Sequence, residues 1–344
     1  MSQLKTNNIT TVSNTGDPNI VLGDSGDTQV QSLNSGPLAG FRNQIINGDF
    51  RTWQRGSGPF STTTPSSSEY SADRWYVNTN NVAVSRNAVN TPFVESFDRA
   101  VQSTASGNFS IAQMVELKSQ GSNSQFYVGS TWTLSFWAKH DPGDVDIRVL
   151  GQFADDSPGA NGVSVFDQTG GEGLVAGDTW QRLSFTFTVG ATAALTNKGL
   201  GVYIRAATTG TFTLTGVQLE PGPVATSFEY RPIGTELALC QRYFYKNNND
   251  YTTTAKDAYS LNAPYQAFPV SMRSSPTVNV RAAQSDTQNH VAEFSSGATP
   301  TYVTDRASAI RRVTTEGYEV WSSTGQLTAG PALYRWSYDA DAEL

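Results

Sequence analysis

The two histidines, His140 and His290, are the first side chains to test for chemistry, and neither has neighbours at metal-ligand or catalytic spacing. Both read as surface or turn residues. The carboxylates Asp141, Asp144 and Asp146, and Asp155 with Asp156, read as solvated loop groups. A glycosidase pair would have to meet in space, which sequence alone does not decide. The glycine-containing pieces around Glu172 and Asp178 precede no helix, so they read as turns and give no phosphate loop. The aromatic residues carry more information. A sugar ring has an apolar face of C–H groups that a flat aromatic side chain stacks against, while adjacent polar groups take its hydroxyls. Trp137 shares the outward side of its segment with Thr133 and Ser135, and Tyr203 shares its own with Arg205. The pattern suits a glycan platform; the alternative is that both rings pack under a loop or against a neighbouring subunit.

Those residues are positioned by strands. Leu134, Phe136 and Ala138 alternate with Thr133, Ser135 and Trp137, and Leu183, Phe185, Phe187 and Val189 alternate with Ser184, Thr186 and Thr188. Leu200, Val202, Ile204 and Ala206 alternate with Gly201, Tyr203 and Arg205. A period of two means one dry and one wet face. Phe212 and Leu214 fall out of phase with Val217 and Leu219 across Gly216, which predicts a β-bulge. Trp75, Trp132 and Trp180 read as core. Near Thr235 the period changes: Leu237, Cys240, Tyr243 and Phe244 recur at helical spacing, with Thr235 as N-cap and Glu236 in the first turn. A lone short helix needs partner surface for its apolar side, which makes these four residues candidates for contact between copies of the chain. The last run alternates Tyr334, Trp336, Tyr338, Ala340 and Ala342 with charged and polar residues, so the chain ends in a sheet.

Composition agrees. Ser and Thr total 75 of 344 residues, with 30 Gly and 15 Pro, a mixture that favours strands and turns and excludes a helical bundle. The 17 Phe, 14 Tyr and 7 Trp supply enough apolar volume for real cores although only 15% of residues are charged. A net charge of -7 without a Lys/Arg cluster argues against nucleic-acid binding. Nothing in the sequence encodes a signal peptide or membrane insertion, and the single Cys240 forms no intrachain disulfide, which suits synthesis in a reducing cytoplasm. The expected fold is all-β. It comprises an extended N-terminal arm (1–40) with brief strands near Ile9, Ile20–Leu22 and Val30, and an antiparallel jelly-roll sandwich (41–232). A short linking helix (233–247) and a smaller C-terminal β-domain (248–344) follow.

Several segments together resemble a known family. FRNQIINGDFRTWQRG (41–56), YSADRWYV (70–77), WTLSFWAK (132–139) and GVQLEPGPVATSFEYRPIGTELALCQRYFYK (216–246) resemble bacteriophage tail-fibre and related virion proteins of the cyanophage type. Their central domain is similar to carbohydrate-binding modules of the galactose-binding jelly-roll class. AFPVSMRSSPTV (267–278) and the terminal YDADAEL resemble the small β-domain that follows in such fibres, and LKTNNITTVSNTGDPNIVLG resembles their virion-attached arm. The resemblance implies a structural, non-enzymatic and usually homotrimeric fibre subunit. Residues 1–40 would dock on phage tail proteins of the virion, and the β-domains would face host surface polysaccharide. An architectural adaptor or capsid decoration protein, or a polysaccharide-degrading tailspike, are the competing roles. No cofactor is required. Jelly rolls of this class often hold a structural calcium between first and last strands, and Asn47, Asp49 and Glu220 are the matching oxygen donors. Alternatively Glu220 caps the turn before Pro221, and Asp49 pairs with Arg51 or Arg74.

Overall fold

A computed structural model describes residues 8–9, 20–22, 28–30, 41–62, 69–77, 82–89, 97, 99–105, 109–119, 121–141, 145–155, 162–169, 179–206, 209–295, 301–322, 324–330 and 332–343. In the arm, β1 (Asn8–Ile9), β2 (Ile20–Leu22) and β3 (Thr28–Val30) form a three-stranded antiparallel sheet at the apolar positions the sequence offers. The other arm residues lie outside the described ones. From residue 41 onward the chain divides into two compact units. The first holds residues 41–51, 58–69 and 76–231; the second holds 52–57, 70–75 and 232–344.

The first unit is a sandwich. Its strands are β4 (Phe60–Thr62), β5 (Glu69–Tyr70), β6 (Tyr76–Val77), β7 (Val82–Ala88), β8 (Arg99–Ala105), β9 (Phe109–Glu116) and β10 (Thr131–Asp141). They continue with β11 (Ile147–Ala154), β12 (Val163–Thr169), β13 (Gln181–Thr188), β14 (Gly199–Ala206) and β15 (Gly210–Pro221). One six-stranded sheet runs β13-β10-β15-β8-β7-β4 and the other β12-β11-β14-β9-β6-β5. The alternation in the sequence decides which side chains go between them: Leu134, Phe136, Leu183, Phe185, Leu200, Val202 and Ile204 are all buried. Phe109 meets Phe212 at 5.1 Å and Phe166 meets Phe187 at 3.7 Å between ring centres, and both contacts cross from sheet to sheet. His140 corrects the surface expectation: in phase with Phe136 and Ala138, it is 1% exposed. His290 is half-buried at the start of a later strand.

The predicted bulge is present. Ser135 pairs with Gln218 but Trp137 with Thr215, so two residues of β15 oppose one of β10. Gly216 takes φ 63°, a conformation that a β-carbon makes costly, and its open side is filled by the Phe97 ring.

Beyond the stretch where β15 pairs β8, its free edge is taken by residues 41–47. The Asn43 side chain replaces a strand there: its Oδ1 accepts from the Leu219 and Ile45 amides at 3.0 and 2.9 Å, and its Nδ2 donates to the Val217 carbonyl at 3.2 Å. Gln44 N–H donates to the Leu219 carbonyl at 2.8 Å, and the Gln113 amide satisfies both backbone groups of Ile46. Glu229 accepts from the amides of Phe41 and Asn43, while Arg231 donates to the carbonyls of Asn43 and Ile45. A β-carbon on Gly48 would sit 2.1 Å from the Val217 oxygen, so only glycine lets the chain cross here.

The second unit contains α1 (Ile233–Gln241) and strands β16 (Phe244–Thr254), β17 (Ser260–Ala267), β18 (Thr277–Ala282), β19 (His290–Phe294), β20 (Tyr302–Arg311), β21 (Gly317–Ser322) and β22 (Leu333–Asp341). The sheet runs β16-β22-β19-β20-β21-β17, with β18 also paired to β22. The aromatic run read from the sequence forms its core, with Tyr334, Trp336, Tyr338 and Ala340 buried against Tyr318, Val278 and Val280. The helix starts earlier than expected. Pro232 is the N-cap and its carbonyl receives the Thr235 and Glu236 amides, so Thr235 lies inside the first turn. Phe244 is already strand.

Cys240, Tyr243 and Phe244 are buried, which corrects their reading as contact residues between copies, while Leu237 is half-buried. The Arg74 guanidinium covers Tyr243 at 3.5 Å and that of Arg55 covers Phe244 at 3.6 Å from the ring centres, so these rings are already occupied. Arg74, 1% exposed, pairs with Glu343, and Arg55 pairs with Asp341 and Glu343. Burial pushes the Cys240 thiol well above its ordinary range, so it is not a nucleophile.

Two outcomes follow from this packing. Asn43→Ala strands buried donors and acceptors on β15 and costs about 2–4 kcal/mol, read from the urea midpoint. Burial pushes the Asp73 carboxyl up to about 6, against the pull of two hydrogen bonds from Gln54. A raised carboxyl favours folding below its unfolded value of 3.8, and the advantage is lost as pH rises through about 6. Between pH 7 and pH 4 the wild type therefore gains about 2–3 kcal/mol relative to Asp73→Asn. Parallel urea-midpoint curves for the two proteins across that range would contradict this.

Candidate functional site

The residues singled out for binding lie on two different sheets. Thr133, Ser135 and Trp137 are on β10, while Tyr203 and Arg205 are on β14, each group on the side of its sheet away from the core. They do not converge.

On the β14 side, Tyr203 has no exposed surface. It packs with Leu150, Ala112 and half-buried Tyr76, and the Arg205 guanidinium covers its ring at 5.0 Å. Its hydroxyl is pushed to about 12 by burial and has no hydrogen-bond partner among the described residues. Arg205 is anchored by Ser110 at 3.3 Å. A ligand cannot stack on a ring already enclosed, so the outward position of Tyr203 corrects to a second small core. On the β10 side, Thr133 and Ser135 are 1% exposed. The Thr133 hydroxyl donates to the Gly222 carbonyl at 2.7 Å, because the segment after β15 folds back over this part of the sheet. Both are structural.

Trp137 stays half-buried, and its surroundings are more telling. It pairs in register with Arg182 of β13, an edge strand, and Lys139 follows it on the same face. Lys139 Nζ lies 5.7 Å from the ring centre of Trp180, the residue before Gln181, where β13 begins. Trp180 is half-buried, not core as the sequence suggested. Trp137, Lys139, Trp180 and Arg182 therefore make one contiguous patch, with the two indoles as diagonal neighbours roughly 7–8 Å apart. Arg182 is held by the Thr226 carbonyl. Such a patch sets two half-buried indoles beside two cations, with Lys139 over the Trp180 ring. Trp180 was recoverable from its place two residues before Arg182, which shares its parity.

Of the calcium donors, Asn47 is fully buried, and Glu220 and Asp49 already have partners. Glu220 is fully buried and accepts from the Thr226 amide and hydroxyl and the Gln218 amide, at 2.9, 2.7 and 2.7 Å. Arg42 Nε stands 3.4 Å away, so positive charge is already supplied. Asp49 pairs with Arg51 at 3.2 Å. Among the described residues, no group of three or more His, Cys, Asp or Glu side chains could hold a metal ion. No helix among them is long and apolar enough to cross a membrane.

No family model and no curated protein matches the chain. Among solved structures, the chain is similar to the enzymatically active domain of tailspike protein 4 of bacteriophage CBA120, at 16% identity and a TM-score of 0.34. That likeness covers 53% of this chain and 22% of the tailspike chain, so only a fifth or so of the latter's length is spanned. It is also similar to the CBM22-1 xylan-binding domain of Paenibacillus barcinonensis Xyn10C, at 15% identity and a TM-score of 0.31, covering 49% and 93% of the two chains. TmCBM61 in complex with β-1,4-galactotriose gives 14% identity and a TM-score of 0.30 over 53% and 99%.

With Glu220 and Asp49 already satisfied, millimolar calcium or excess EDTA is expected to move the melting temperature by less than about 1 °C, measured by calorimetry. A calcium-dependent rise of several degrees would show a bound ion.

Proposed function

We propose that the chain is a non-enzymatic subunit of a phage tail fibre, which docks on the virion through residues 1–40 and contacts host surface polysaccharide through the Trp137 patch. The observation that carries the binding part is the grouping of two half-buried indoles with Lys139 and Arg182 on β10 and the edge strand β13. Stacked C–H faces and donors at the ring edges are what a saccharide needs. The fibre part rests on the quoted segments: 41–47 and 216–231 are the two halves of one buried clamp, so their joint resemblance to virion proteins concerns one structural unit. Homotrimeric assembly belongs to the same proposal, although Cys240, Tyr243 and Phe244 are already buried in the single chain.

Trp137→Ala and Trp180→Ala are each expected to weaken adsorption of the full chain to host cells by about tenfold, equivalent to about 1.4 kcal/mol, with unchanged melting. Light scattering is expected to give the mass of three 37.1 kDa chains. Undiminished adsorption by both variants would remove the patch from the binding role, and release of reducing sugars from host polysaccharide would favour a tailspike.

A further inference from the structure

The second unit has a polar cavity of about 420 Å³ on the side of its sheet opposite the aromatic core. Three neighbouring strands build it. Lys246 of β16 pairs in register with Asp339 of β22, and Arg281 of β18 pairs with Ser337 of β22. Asp286 comes from the turn that follows β18, and Asn247 completes the rim.

We propose that this cavity binds one neutral sugar residue, whose hydroxyls bridge Arg281 to Asp339 and Asp286. The volume lies at the small end of the range for ligand sites, about 300–1,000 Å³, which suits a single ring better than a chain. The lining carries two cations, Lys246 and Arg281, and two carboxylates, Asp286 and Asp339, so charge is balanced and an ionic ligand would bring uncompensated charge into it. Arg281 stands 3.7 Å from Asp286 and 3.6 Å from Asp339. These are ion-pair separations too long for direct hydrogen bonds, so donors and acceptors on both sides stay open to a third group. A sugar hydroxyl is that group, because it accepts from the guanidinium while donating to the carboxylate. Asn279 holds Asp339 in place with a 2.7 Å hydrogen bond, and Lys246 has no ion-pair partner among the described residues.

The inference extends the glycan reading to a separate unit, and its test is built so that the two fail separately. Saturation-transfer NMR is run on the full chain carrying Trp137→Ala, with methyl β-D-glucoside, methyl β-D-galactoside and D-glucuronate as probes. At least one neutral glycoside is expected to receive saturation, with glucuronate weaker. Arg281→Gln, and Ser337→Phe which fills the cavity, each reduce the signal at least fivefold. Asp286→Asn reduces it at least threefold with unchanged melting, since Asp286 is exposed and asparagine tolerates its positive φ. No transfer to either neutral glycoside, a signal indifferent to all three variants, or a stronger signal from glucuronate would overturn the proposal. Loss of cell adsorption on Trp137→Ala bears only on the first site.

Discussion

The sandwich depends on how the free edge of β15 is satisfied. After Leu214 the strand leaves β8, the bulge at Gly216 turns it, and its buried amides and carbonyls need new partners. Asn43 provides them with one side chain, and Glu229, Arg231 and Gln113 fix the segment that carries Asn43. Glu220, Gln218 and Thr226 lock the return of the chain in the same way. A buried network of this kind is stabilising only when every member is paired, which couples residues 41–47 to 216–231 more tightly than apolar packing would. The same network explains why the calcium donors are otherwise engaged. The resemblance places a cation between first and last strands, and here the guanidinium of Arg42 occupies the corresponding electrostatic role beside Glu220.

The second unit solves its own end problem with arginine too. Its terminal strand closes on Arg74 and Arg55, which reach Glu343 and Asp341 while their flat faces cover Tyr243 and Phe244. A guanidinium can do both at once, because its edge donates hydrogen bonds while its face stacks, and lysine has no equivalent. These arginines come from 52–57 and 70–75, so short pieces of chain far back in sequence are structural parts of the C-terminal unit. That accounts for the co-occurrence of the YSADRW and YDADAEL segments, which have no relation visible in the linear sequence.

Strands and their two faces were legible because a period of two is a local property. The burial of Leu134, Phe136, Phe185, Val202, Trp336 and Tyr338 follows from it directly. What covers an outward face is not local. Tyr203 and Ser135 point away from the core by parity and are nonetheless enclosed, one by Leu150 and Arg205 from strands of the same sheet, the other on a face under the segment after β15. The core reading of Trp180 fails because the residue precedes β13, and its parity with Arg182 sets it on the outward face. The placement of Trp137 and Tyr203 on separate sheets depends on strand order, which pairs β10 with β13 and β11 with β14 and is set by long-range contacts. The helix start failed for a different reason: Pro232 presets the first turn and outcompetes the hydroxyl cap three residues later.

Enclosure then narrows where a large ligand can approach the sandwich. On the β14 side the apolar centre is sealed by Tyr203 and its neighbours. On the β10 side the β15 end carries the clamp, with Phe97, Phe228 and Tyr230 packed edge-on and tilted against one another, Phe97 beside Gly216, and with Thr213 and Thr215 buried. The strip along β10 and β13 that carries Trp137 and Trp180 is half-buried, and among the described residues β13 pairs with β10 alone. A polymer lying there meets two indoles without having to enter a closed pocket, and its ends remain in solvent. Contacts of this type are individually weak, so a single patch gives modest affinity, and the proposed fibre role would need the avidity of linked copies. A shallow edge patch is therefore physically suited to many reversible contacts, which is what the proposed binding role requires.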